Sequence, residues 1–170
     1  MLHALELGPD EPGQQAVRRD WQALREAGLP SQLDHAGATN APHVTVVAAP
    51  ELPAAAERLA VSALGTMLPL RVRASGLLIL GGERVTLART VDVDDDATRA
   101  VLDVRAATPG RQHVGWLPHV TLARRVLRTD VQRAVEVLGH ADVELELTGL
   151  RRWNPTAGTA RLLTSVMPGR

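Results

Sequence analysis

The chain contains no cysteine, lysine, phenylalanine or tyrosine, and its large aromatic side chains are three tryptophans. Without cysteine, disulfide bonds, thiolate nucleophiles and cysteine-ligated metal sites are excluded. All 19 basic residues are arginine, a bias typical of GC-rich coding sequence rather than of a particular function. So few aromatic rings also argue against an extended base-stacking platform for single-stranded nucleic acid.

Long apolar runs are also missing, and no segment is long enough to cross a bilayer. Acidic residues occur within the first ten positions, where a secretory signal would have a basic leader and a long apolar core. We therefore expect a cytoplasmic protein that does not contact membranes. Residues 1–170 are predicted to form one domain with two joined lobes, and the absence of any sign of an obligate protein partner favours a monomer.

The net charge of zero conceals an uneven distribution. Residues 1–110 contain 10 Arg against 14 Asp and Glu, whereas residues 111–170 contain 9 Arg against 5. A protein that binds a long polyanion through its phosphates usually presents a strongly basic face. The mild excess in the C-terminal third favours a nucleotide or a strand end as the ligand.

One tetrapeptide, Pro-His-Val-Thr, occurs at 42–45 and again at 118–121, 76 positions later. The surrounding pattern also repeats, because each half reads as strand, helix, His-Val-Thr strand, helix and strand, with a closing strand at the end. Shifting the predicted strand 84–91 by 76 positions gives 160–167, part of the last predicted strand. The sequence thus predicts an α+β protein of two pseudo-symmetric lobes.

The local signals place these elements along the chain. A helix is predicted from about Pro12 to Ala27, with Gly28 ending it. Gly81-Gly82 is expected to join two strands as a hairpin, and "NPTAG" is expected to form the last turn. Inward faces are predicted for three helices: Val17, Trp21 and Leu24; Leu52, Ala56, Leu59, Ala63 and Met67; Val101 and Val104.

In a strand, residues two positions apart point to the same face, so His43 projects together with Thr45, and His119 with Thr121. If a pseudo-two-fold axis relates the lobes, the four side chains meet in one cleft. One neutral imidazole could then act as a base and one protonated imidazole as an acid. The threonine hydroxyls could hold the oxygens of a phosphate between them. This constellation suits phosphodiester chemistry without a cofactor or a metal ion.

The paired motifs "HVTV" at 43–46 and "HVTL" at 119–122 resemble those of the 2H phosphoesterase superfamily, in particular its 2'-5' RNA ligase-like and RNA 2',3'-cyclic phosphodiesterase members. The resemblance implies a bilobal, duplicated α+β fold in which antiparallel sheets line a central cleft and helices lie outside. It also implies that the chain opens 2',3'-cyclic phosphates on RNA 3' ends or small nucleotides, or joins strands through a 2'-5' bond. His43 and His119 would be catalytic, and Thr45 and Thr121 would bind substrate.

Two further residues are candidates for substrate contact. Arg124 suits a phosphate, but strand parity places it on the face of Val120 and Leu122 unless the strand bulges first. Trp116 could stack on a base or fill a hinge as a buried hydrophobe. Metal binding is not predicted, because no third ligand accompanies the two histidines at a suitable spacing.

Two functional alternatives stay open from the sequence. The first is a module that binds phosphate or RNA ends without turnover. The second is an enzyme of the same chemistry that acts on another small cyclic phosphate, such as an ADP-ribose derivative. Pseudo-symmetry leaves the two histidines interchangeable, so the sequence does not assign acid and base.

Overall fold

A computed structural model describes residues 1–166, which form four α-helices and seven strands. The strands are β1 (His3–Pro9), β2 (Val44–Ala49), β3 (Leu70–Gly81), β4 (Arg84–Asp92), β5 (His119–Leu127), β6 (Val143–Asn154) and β7 (Thr159–Ser165). The helices are α1 (Glu11–Glu26), α2 (Ala54–Leu64), α3 (Asp95–Ala106) and α4 (Val131–Leu138). Short 3-10 turns precede β2, follow α2 and precede α4. The predicted mixed α+β class is confirmed.

The element ends follow the local chemistry of the sequence. Helix α1 begins at Glu11, because the Asp10 carboxylate accepts a hydrogen bond from the backbone amide of Gly13. The chain leaves that helix through Gly28, whose φ of +71° lies in the left-handed region that glycine adopts without strain. Strand β7 confirms the last predicted strand as far as Ser165, and the predicted final residue, Met167, lies outside the described residues.

The predicted inward face of α2 is partly wrong. Its buried residues are Ala56, Ala60 and Leu64, whereas Leu59 and Ala63 are only partly buried. Alanine occupies both sides of this helix, so apolar spacing alone does not identify the buried stripe. Contact with α3 decides which stripe is covered. The inward residues predicted for the first and third helices are confirmed as buried.

The seven strands form one antiparallel sheet in the order β1-β2-β5-β4-β3-β6-β7. Because β1 also pairs with β6, the first six of these strands close into a circuit. The circuit consists of two equivalent three-stranded lobes, β2-β1-β6 and β5-β4-β3. The lobes join where β3 pairs with β6 and at a single residue pair between β2 and β5.

One face of this circuit is covered by helices, with α1 packed against α4 and α2 packed against α3. Trp21 of α1 is among the largest fully buried side chains in the continuous apolar core beneath them. Arg89 of β4 is 3% exposed and pairs with Asp20 of α1 at 2.7 Å, so this buried charge has its counter-ion. No helix within residues 1–166 has the length and apolarity of a membrane span.

Candidate active site

The two His-Val-Thr strands lie side by side. Val44 of β2 pairs with Val120 of antiparallel β5. If this register is extended by one residue in each direction, His43 lies opposite Thr121 and Thr45 lies opposite His119. Side chains at opposite positions point to the same face with Cβ atoms about 5 Å apart. We call the surface formed by these two histidines and two threonines the motif face; both valines point to the other side and are buried.

Each motif imidazole is held by a hydrogen bond to the backbone just before its own strand. His43 Nδ1 lies 2.8 Å from the carbonyl oxygen of Ala41, and His119 Nδ1 lies 2.7 Å from that of Leu117, in both cases two residues earlier. A carbonyl oxygen can only accept, so Nδ1 carries the hydrogen in both rings. The Nε2 atoms are therefore the ones available for proton exchange with a ligand.

His43 has a charged environment. Its Nε2 lies 3.4 Å from Glu6 Oε1, while Glu6 Oε2 accepts a hydrogen bond of 2.7 Å from Arg151 Nε. Burial is the largest influence on the pKa of His43 and lowers it below the ordinary value of 6.5. Glu6 and the hydrogen bond to Ala41 raise this pKa, whereas the positive charges of Arg151 and Arg124 lower it. A neutral His43 at pH 7 follows.

Two indole rings bond to the backbone of the motif strands. Trp21 Nε1 donates to the carbonyl oxygen of Thr121 at 3.0 Å, and Trp116 Nε1 donates to that of Thr45 at 2.9 Å. Both strands therefore have their threonine carbonyl satisfied by an indole. Trp116 is partly buried against the core, and its contact with substrate stays a prediction.

The segment that carries Trp116 is fastened by a buried arginine. Arg105 of α3 is 5% exposed and donates to the carbonyl oxygens of Val46, His113 and Gly115. These bonds join the helix, the loop before β5 and the end of the first motif. Arg105 thereby sets the position of the indole.

A β-bulge changes the face to which Arg124 points. In β5, Leu122 is the extra residue, since Leu87 of β4 pairs with Ala123 and the next residue of β4 pairs with Thr121. Leu122 and Ala123 are both buried, and Arg124 is exposed on the opposite side. The exception that the sequence left open, a bulge before Arg124, therefore applies, and Arg124 shares the motif face.

The first motif has the same irregularity. Leu5 of β1 pairs with Val47 and Glu6 pairs with Thr45, so Val46 is the extra residue in β2. Val46 and Leu122 are 76 positions apart. The duplication thus extends to the bulges, and Ala48 holds the position in β2 that Arg124 holds in β5.

The polar groups of the motif face suit an oxyanion ligand. Thr45 and Thr121 are half-buried, and their hydroxyls can donate to non-bridging oxygens. Two Nε2 atoms on either side can exchange protons with an entering and a leaving oxygen. Within residues 1–166, no group of three or more His, Asp or Glu side chains is arranged to hold a metal ion. The absence of a metal requirement stays a prediction.

The sequence patterns singled out neither Glu6 nor Arg151 as a residue of the site. A signal for Glu6 is present in retrospect, because Leu5 and Leu7 occupy one face of the first strand and Glu6 the other. That alternation does not say which strands are neighbours. Only the pairing of β1 with both β2 and β6 brings Glu6 and Arg151 to His43.

Two solved structures share the fold. The crystal structure of TT0787 from Thermus thermophilus matches with a TM-score of 0.55 and 17% identity, covering 96% of this chain and 95% of that one. A crystal structure described as a phosphoesterase matches with a TM-score of 0.50 and 14% identity, covering 98% and 95%. No curated protein sequence gives a significant match.

A family model adds evidence at the level of sequence. The model of the 2'-5' RNA ligase superfamily matches residues 10–159, a span that contains both His-Val-Thr motifs and all four helices. The duplicated elements, the paired motifs and this match agree with one another. The chain belongs to the 2'-5' RNA ligase superfamily of 2H phosphoesterases.

Proposed function

We propose that this protein is a metal-independent phosphoesterase that opens 2',3'-cyclic phosphates on RNA 3' ends or small nucleotides. The observation that carries the proposal is the pair of imidazoles on one face, each with Nδ1 tied to a carbonyl and Nε2 available. In-line opening of a cyclic phosphate needs one group that takes a proton and one that gives a proton. The two rings are suited to these tasks.

The phosphate would lie between the motif strands. Thr45 and Thr121 would donate to its non-bridging oxygens, and Arg124 would supply a positive charge at the exposed end of the motif face. Hydroxyl and guanidinium donors that are already in place stabilise the charge that develops on the phosphoryl group. This set of donors supports catalysis without a cofactor.

Turnover of a 2',3'-cyclic nucleotide in EDTA tests the proposal. The wild-type protein should hydrolyse it, and His43→Ala and His119→Ala should each lose about 100-fold or more in kcat, the usual contribution of a general acid or base. The exposed His140→Ala is the matched control and should keep full activity. Unchanged turnover in either motif variant would contradict the proposal.

The same assay separates the other candidate functions. Binding of a 2',3'-cyclic nucleotide without turnover would identify a module for phosphate or RNA ends. Turnover of an ADP-ribose cyclic phosphate but not of the RNA-type substrates would identify a different small-molecule enzyme. An RNA with a 2',3'-cyclic phosphate end, incubated with a strand carrying a free 5' hydroxyl, would reveal any 2'-5' ligation.

A further inference from the structure

The two halves of the motif face are not chemically equivalent. Glu6 of β1 lies opposite Thr45, and its counterpart in the other lobe, opposite Thr121, is Ala88 of β4. On the next strand, Arg151 of β6 lies opposite Glu6. The duplication thus places a carboxylate beside one motif strand and a methyl group beside the other.

The next pair of equivalent positions shows the same difference. Arg151 is paired with Glu6, whereas Leu78 of β3 is paired with Ala88. His43 therefore has a carboxylate and a guanidinium in its own lobe. The corresponding positions beside His119 have only apolar side chains.

The geometry around Glu6 is that of a fixed charge. Its side chain is 7% exposed and accepts a hydrogen bond from Arg151 through Oε2, while Oε1 lies beside His43 Nε2 at 3.4 Å without a hydrogen bond to it. That nitrogen has no hydrogen while Nδ1–H donates to Ala41. A bare nitrogen lone pair gains nothing from a carboxylate, but a protonated Nε2 does. The arrangement favours His43 after it has accepted a proton.

We propose that Glu6, oriented by Arg151, is a positioning residue that assigns His43 as the proton acceptor and leaves His119 as the proton donor. This inference rests on the proposed function and names the role of each histidine within it. It breaks the equivalence that the duplicated motif suggests.

The chemical step balances with these roles. A water oxygen forms a bond to phosphorus while the bond between phosphorus and one ribose oxygen breaks. The water proton goes to His43 Nε2, and the Nε2 proton of His119 goes to the leaving ribose oxygen. The product is a phosphate monoester, and proton exchange with solvent returns both rings to their starting states.

The charged groups that face His43 come from three strands. Glu6 on β1 raises the pKa of the imidazole, and Arg151 on β6 and Arg124 on β5 lower it, in addition to the larger lowering by burial. His119 lies on β5 beside Thr90 of β4. Removing the charge of Glu6 should therefore lower the pKa of His43 further.

A leaving-group experiment tests the assignment directly. Cyclic nucleotides with either oxygen or sulfur at the bridging leaving position are compared, because a thiolate departs without needing a proton. His119→Ala should lose about 100-fold on the oxygen substrate and should be restored to within about tenfold of wild type on the sulfur substrate. His43→Ala should stay impaired on both. Rescue of His43→Ala instead would overturn the assignment.

Glu6→Gln tests the positioning role, since glutamine keeps the size and removes the charge. We expect kcat to fall about tenfold, the loss typical of one charged contact. In a plot of kcat against pH, the ascending limb should move to lower pH and the descending limb should stay in place. Glu57→Gln is the matched control, because Glu57 is ion-paired with Arg152 and Arg161 away from the motif face.

The outcomes are distinguishable from a failure of the proposed function. Absence of wild-type turnover on either substrate would defeat the function and the inference together. Wild-type turnover with a shift of the descending limb, or with no shift in either limb, would defeat the inference alone. If Glu6→Gln does not fold, the leaving-group comparison decides, because it uses only the histidine variants.

Discussion

The indole of Trp116 donates a hydrogen bond of 2.9 Å to the backbone carbonyl of Thr45, a residue 71 positions earlier. This bond holds the entry to the second motif strand against the first. Thr121, the equivalent residue of the second motif, accepts a hydrogen bond at its backbone carbonyl from Trp21 of helix α1. The two threonines are thus tied through their backbone, which leaves their side chains free for other contacts.

Replacing Trp116 by Phe separates this bond from any stacking on substrate. The variant should lose about 1–2 kcal/mol of unfolding free energy, because the Thr45 carbonyl is left without its donor. Stacking survives in phenylalanine, so the KM for a cyclic nucleotide should stay within about twofold if the ring contacts a base. Urea denaturation measures the first effect and steady-state kinetics the second.

Trp153→Phe serves as the control for the loss of an indole on β6. It should change the unfolding free energy less than Trp116→Phe does. Equal stability of wild type and Trp116→Phe would show that the bond to Thr45 contributes nothing.

Arg124 gives a prediction about phosphate contact. If its guanidinium binds the phosphate, Arg124→Ala should lower kcat/KM by about 10–100-fold, which corresponds to the 1.5–3 kcal/mol of a hydrogen bond to a charged group. Arg124→Lys should recover only part of this loss, because an ammonium group cannot make a bidentate contact. Arg99→Ala, an equal change of charge at an exposed position of α3, should have no effect on kcat/KM. A similar loss in both alanine variants would point to general charge rather than contact.

Arg105 should matter for stability through three carbonyl groups. Arg105→Met removes the donors to Val46, His113 and Gly115 and should cost about 1–3 kcal/mol, after the gain from no longer burying a charge is subtracted. Arg99→Met, on the same helix and exposed, should stay within about 0.5 kcal/mol of wild type. Chemical denaturation compares the two, and an unchanged Arg105→Met would mean that the loop is held by other contacts.

The lowered pKa of His43 predicts acid sensitivity of the fold. In the unfolded chain this imidazole takes up a proton near its ordinary pKa of 6.5, whereas in the folded protein it does so only at lower pH. The unfolded state therefore binds more protons as the pH falls below 6.5, and the unfolding free energy decreases. His43→Gln should remove that part of the pH dependence.

Urea denaturation at pH 7.5 and pH 5.5 measures this difference. The loss of unfolding free energy between the two pH values should be smaller in His43→Gln than in wild type. The exposed His140→Gln should behave as wild type does. The same loss in all three proteins would contradict a lowered pKa of the partly buried His43.

The periodicity of the sequence was sufficient to predict the strands, the helices and the repeated motif. It predicted the Gly81-Gly82 hairpin and the pairing of His43 and Thr45 on one face, since these depend on local turn chemistry and on the two-residue period of a strand. Local signals are strong in all of these places. The 76-residue offset indicated the equivalence of the two motif strands, but it also matched β4 with β7, whereas in the sheet β4 occupies the position equivalent to β1.

The structure departs from the predictions where the direction or the contacts of a side chain depend on the neighbouring strands. The bulges at Val46 and Leu122 show in the sequence only as two successive apolar residues, Val46-Val47 and Leu122-Ala123. Such a pair does not tell whether a strand bulges, so the direction of Arg124 could not be obtained from parity. Glu6 could not be connected with His43, because a strand pattern gives faces but not neighbours. These two features decide the electrostatics of the motif face.

The sheet pairing has a consequence for how the two repeats depend on each other. The first repeat supplies β1, β2 and β3, yet β3 completes the sheet around β4 and β5, while β6 of the second repeat completes the sheet around β1 and β2. The repeats have exchanged their third strands. A cut at the hairpin between β3 and β4 would leave β3 without a partner strand in one fragment, and β6 with only β7 as its partner in the other. The two repeats are thus interlocked, and we expect them to unfold as one cooperative unit.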